Sequence, residues 1–152
     1  MSVVGNRTDS AGEMTRLLKR ADLRPPANDA AIIKCMEYLG GDLPEDYEQF
    51  LRMSDGGEGS VGSSYAAIWD VENLIAGNTR LNVREYNPDL VVFGSEGGEG
   101  AFCFDKRTKP WKVVMVPFIG LSRDDAVPMG NSFSEFLQRL RSGIWTSPGE
   151  RP

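Results

Sequence analysis

Residues 93–105 read FGSEGGEGAFCFD, and the reading of the whole chain turns on what this stretch does. Glycine is as dense here as in loops that cradle phosphate. The stretch has no lysine, however, and no Lys-Ser or Lys-Thr pair, so it lacks the groups with which a P-loop holds a nucleotide. The residues after the glycines alternate. Phe102 and Phe104 fall on one side of an extended chain, Cys103 and Asp105 on the other. The stretch therefore reads as a connection between two strands, with glycine supplying the positive φ of a turn or bulge. Glu96 and Glu99 read as solvated turn residues rather than catalytic acids.

On either side of it the chain reads as short elements. Residues 90–93, 101–104 and 112–116 are β-like runs, the last rich in valine. Thr108 and Pro110 lie in the turn between the last two, and so short a link makes those strands antiparallel neighbours. Toward the N-terminus, residues 10–21 read as a helix. Ser10 and Glu13 fit a capping box, and Met14, Leu17, Leu18 and Ala21 form its apolar stripe. Asn28 caps a second helix with a stripe of Ile32, Ile33, Met36 and Leu39, ended by Gly40 and Gly41. Pro44 opens a third, with Tyr47, Phe50 and Leu51 inward and Gly56 and Gly57 as its stop.

Residues 57–62, GEGSVG, match the letters of GxGxxG, but a helix precedes them where a dinucleotide fingerprint needs a strand. They read as a helix end and a loop. Residues 65–69, YAAIW, read as a strand. Asp70 caps a helix reaching Glu85, with Val71, Leu74, Ile75 and Leu81 inward and Asn73, Gly77 and Asn78 opposing it. Residues 115–130 read as a loop. Its acidic pair, Asp124 and Asp125, lacks the ligand spacing of a calcium loop. Ser132 and Glu135 cap the last helix, whose stripe is Phe133, Phe136, Leu137 and Leu140. Helices at both ends of a central run of strands make an α+β domain over residues 10–141, between flexible tails at 1–9 and 142–152.

Composition narrows the function classes. Among 152 residues there is no histidine, which removes Ser-His-Asp and Cys-His nucleophilic sites and imidazole-bound zinc. Cys35 and Cys103 are too few for a disulfide framework and read as buried thiols. Residues 37–138 carry 17 acidic and 8 basic side chains, a net of −9, against −5 for the whole chain. Such a domain repels nucleic acid and attracts a basic partner. No apolar run is long enough to span a bilayer and no signal peptide is evident, so the expected location is the cytoplasm. No cofactor or metal is expected.

Four segments, taken in order, resemble a known family: LPEDYEQFLRMSDGGEG, LVVFGSEGGEGAFCFD, VPFIGLSRDD and NSFSEFLQRL. They are similar to the Smi/Knr-type (cell-wall assembly regulator-like) domain of the SUKH superfamily over about residues 32–140. The matching positions include Leu43, Pro44, Tyr47, Phe50, Gly56, Gly57, Phe93, Gly94, Phe104, Asp105, Ser132, Phe133, Phe136 and Leu137. The resemblance implies an α+β fold with a mixed, largely antiparallel sheet flanked by helices. It also implies a non-catalytic, protein-binding role: a bacterial immunity protein that neutralises a cognate toxin, often a nuclease, or else a regulatory or scaffold module. The helix over residues 10–21 lies outside the family pattern. The expected partner-binding residues are Glu58, Glu96 and Glu99 in the glycine-rich stretches, with Trp69, Asp124 and Asp125.

Overall fold

The structure is a computed structural model that describes residues 12–143 and 145. The Ser10 cap and most of both expected tails lie outside the described residues. Among those described, six helices accompany one seven-stranded sheet. The elements run α1 (residues 12–17), β1 (Ala21–Leu23), α2 (Asp29–Leu39), α3 (Glu45–Met53), β2 (Gly57–Val61), β3 (Ser64–Ile68), α4 (Val71–Arg80), α5 (Val83–Tyr86), β4 (Leu90–Ser95), β5 (Gly100–Asp105), β6 (Lys112–Pro117), β7 (Val127–Gly130) and α6 (Phe133–Ser142). The strands lie in chain order and every neighbouring pair is antiparallel. The fold is α+β, as expected.

Where caps and stripes agree, the elements form as read. Asn28 Oδ1 accepts from Ala31 N at 2.8 Å, and Gly40 ends α2 in the left-handed region. Asp70 Oδ1 accepts from Asn73 N, and Ser132 Oγ from Glu135 N. The inner face of the sheet packs on the helices through one aromatic cluster. Phe93 stacks on Phe104 at 4.3 Å between centroids, Phe102 meets Phe136 at 4.7 Å and Tyr47 meets Phe104 at 4.8 Å. All of these rings are fully buried.

Several expectations are corrected. Ala21 leaves the first helix and begins β1, which pairs with β2. Ile33 does not face the core; it is 53% exposed, and Cys35 takes the inward position. Residues 57–61 are a strand, not a loop. Gly59 has a φ of 144°, and a Cβ there would lie 2.9 Å from the Ala21 Cα, so glycine lets β1 and β2 close on each other. The helix after Asp70 stops at Arg80, and Asn82, at a φ of 53°, starts the short α5. Residues 115–130 are not all loop: β6 runs to Pro117, a 3-10 turn spans Arg123–Asp125 and β7 follows.

Gly77 and Asn78 count against a helix by propensity, yet here they anchor α4. The amide of Asn78 accepts from Val92 N at 2.9 Å and donates to Val92 O and Leu74 O. β3 reaches only Gly94 and Ser95 of β4. Asn78 thus satisfies strand edge that β3 leaves unpaired, as buried backbone polar groups require. A Cβ on Gly77 would fall 2.6 Å from the Trp69 ring, so only glycine lets α4 lie against that indole.

Phe136→Ala should lower stability by about 3–5 kcal/mol in urea titration, whereas the exposed Ile33→Ala should shift it by under about 0.5 kcal/mol. Equal losses would contradict the helix phases described.

Candidate protein-binding surface

The outer face of the sheet is covered only in part. On β4–β6, the side chains of Leu90, Val92, Ala101, Cys103 and Val116 are buried under Val83 of α5 and Leu121 of the following loop. On β1–β3, strand alternation sends Asp22, Glu58, Ser60, Tyr65 and Ala67 to the same outer face, where no helix among the described residues covers them. Asp22 stands directly opposite Glu58, and Glu58 opposite Ala67.

This open part forms a shallow cleft of about 290 Å³. Ala67 and Trp69 supply its apolar wall, Leu23 borders it at the edge strand, and Asp22, Glu58 and Asn73 form its polar rim. Trp69 is half-buried and stacks on Phe118 at 6.4 Å, which joins the cleft to the covered side of the sheet. Ile119, next to Phe118, is 89% exposed. Tyr65 is 42% exposed and its hydroxyl donates to Glu58 Oε2, which holds the phenol pKa above its ordinary value. Gly97, at a φ of 94°, lays the β4–β5 turn on the Tyr65 ring; a Cβ there would sit 2.9 Å from Cδ1. Asp70 also borders the cleft, paired with Arg24 at 2.9 Å.

The structure therefore brings Glu58 and Trp69 to one cleft. Glu96 and Glu99 stand on the adjoining turn. Glu96 Oε1 accepts from Gly100 N at 2.9 Å and closes that turn, and Glu99 O accepts from Phe118 N. Asp124 and Asp125 lie on the exposed 3-10 turn beyond β6 and line no part of the cleft. Sequence reasoning missed Asp22, Leu23, Tyr65 and Asn73. The alternation of Ser64, Tyr65 and Ala66 carried a signal for Tyr65, since a strand that buries its neighbours must turn the tyrosine out.

Neither thiol is poised for chemistry. Burial, reinforced by Asp55, pushes Cys35 up to about 12, and burial raises Cys103 as well. Among the described residues no group of three or more His, Cys, Asp or Glu side chains could hold a metal ion. Asp105 is nearly buried at the end of β5, and its partners saturate it. Burial alone would raise its pKa. Hydrogen bonds from Arg107 and the charge of Arg123, whose guanidiniums each approach to 2.9 Å, outweigh that and hold it below the usual carboxylate range. Asp105 also accepts from Arg107 N, so it starts the β5–β6 turn.

Over residues 26–139 the chain matches the model of the SMI1 / KNR4 family (SUKH-1). It belongs to that family. Membership makes the chain a protein-interaction or immunity-type domain, in a family whose members are generally non-catalytic. The match covers the sheet from β2 to β7, helices α2 to α5 and α6 up to Arg139, and leaves α1, β1 and the last turn of α6 outside. A comparison with curated proteins finds no significant match. Among the described residues no helix is long and apolar enough to cross a membrane.

Because its folded pKa is depressed, Asp105 contributes stability above its unfolded value, about 3.9, and loses it as pH falls through the folded value. Asp105→Asn should cost about 1–3 kcal/mol at pH 7. Urea titrations of both proteins should converge as the pH is lowered below that range; a constant gap would show that ionisation of Asp105 contributes nothing.

Proposed function

We propose that this chain is an immunity protein that neutralises a basic toxin domain by binding it directly. The observation that carries the reading is a coincidence of charge and family. The segment of net charge −9, residues 37–138, is almost the segment that matches the SMI1 / KNR4 family, residues 26–139. A toxin that acts on nucleic acid must attract phosphate, so its cleft is basic. An inhibitor carrying concentrated negative charge is steered to such a cleft, which raises the association rate and suppresses wrong partners. Glu58, Glu96 and Glu99 are placed to contribute, since all three stand on or beside the open sheet face. Asp124 and Asp125 add to the field from the far end of the sheet. Inhibition by this route needs neither catalysis nor a cofactor. The chain would act where its toxin is made, in the cytoplasm.

Rim charges act through steering more than through residence time. Replacing Glu58, Glu96 and Glu99 together by Gln should therefore lower the association rate with the toxin and flatten its salt dependence. The melting temperature should hardly move, because Gln keeps the acceptor oxygens that Tyr65 and Gly100 N use. Stopped-flow association at two ionic strengths, paired with survival of cells expressing the toxin, checks this. If the wild-type chain protects no cell against candidate toxins encoded beside it, the immunity reading fails and a regulatory or scaffold role takes its place.

A further inference from the structure

We infer that the open outer face of β1–β3 is the docking surface, and that its occupant is a protein loop presenting lysine or arginine around an apolar side chain. This deepens the proposed function and rests on its reading of a basic protein partner. An antiparallel sheet is stable with one face in water when that face is polar. Here the mostly polar face also carries an exposed tyrosine and a half-buried tryptophan, which solvation alone does not require. Ala67 and Trp69 line the cleft, Tyr65 stands two residues before Ala67 on the same face of β3, and Phe118 stacks on the indole. Aromatic side chains held in place by packing are what binding hot spots use. Trp69 is held by the close approach of Gly77 and by the Phe118 stack, and Tyr65 by Glu58 and the Gly97 turn.

The rim names the chemistry of the occupant. Asp22 and Glu58 are direct cross-strand partners, and like charges in that position repel. Glu99 adds a third exposed carboxylate from the adjoining turn. The cation bordering the cleft, Arg24, is already paired with Asp70. A guanidinium or ammonium group entering over Asp22 and Glu58 relieves their repulsion and lies beside the indole face, where a cation is attracted. An apolar neighbour of that group then covers Ala67 and the Tyr65 ring. A second copy of this chain fits less well, because it would bring its own acidic face against this one.

The test uses a short synthetic peptide with four Lys or Arg around one tryptophan, titrated into the isotope-labelled chain and followed by amide NMR. A control peptide carries Glu in place of the cations. Shifts should cluster at Asp22, Glu58, Tyr65, Ala67 and the Trp69 indole N–H. Ala67→Arg adds a cation to the cleft without emptying a packed site, and it should weaken binding by about tenfold or more, while Ile33→Arg on the far side of the molecule should change it by less than about twofold. No shifts, shifts spread equally over remote acids such as Asp29, Asp42 and Asp89, or indifference to Ala67→Arg would overturn the proposal. Shifts at this face that grow with protein concentration alone would overturn it too, by making a second copy the occupant. The toxin-protection assay fails separately: peptide binding at this face without protection would sink the immunity role and leave the surface standing.

Discussion

The packing of Phe93, Phe102 and Phe104 against Tyr47, Phe133 and Phe136 decides which side of the sheet faces the helices. Side chains alternate along a strand except at a bulge, and the bulge between Val92 and Gly94 of β4 shifts the alternation by one residue, so that Val92 and Ser95 both face outward. With these rings turned inward, Val92, Cys103 and Val116 must turn outward, and they need a second cover. α5 and the loop through Leu121 provide it for β4–β6. The same register, carried through Ala67–Ser95 and Glu58–Ala67, turns Tyr65 and Glu58 outward on β2 and β3. Among the described residues nothing covers them there. The open face is thus a consequence of core packing some distance away along the sheet.

Charge and shape then act at different ranges. Over distances beyond about 8–10 Å, salt screens individual charges, and only the summed field of the acidic segment guides an approaching partner. In the proposed docking mode, Trp69, Tyr65 and Ala67 supply the burial that sets residence time, while Asp22 and Glu58 select for cations. Asn78 and Gly77 connect the two scales, because they fix α4 against β4 and so set where the Trp69 wall stands.

The helices were largely legible in the sequence. α3 and α6 combine an initiating residue, a stripe and a breaker, and these local signals agree with the tertiary fold. β2 was not legible, because its glycines have low strand propensity and the strand exists through its neighbours β1 and β3. β1 hid behind Ala21, which continues a helical stripe by spacing alone. Asn78 looked like a helix breaker because its reward, the Val92 backbone, lies fourteen residues away. For the same reason the site was half legible. Composition pointed to Glu58 and Trp69 singly, but only the register of β1–β3 puts them together, adds Asp22 and Tyr65, and leaves Asp124 and Asp125 elsewhere.

Hydrogen–deuterium exchange of the chain with and without its bound toxin tests the central claim most directly. The account predicts new protection in peptides spanning β1–β3 and the β4–β5 turn, with α2, α3 and α6 unchanged. Protection confined to the helical side, with β1–β3 exchanging as in the free chain, would contradict it.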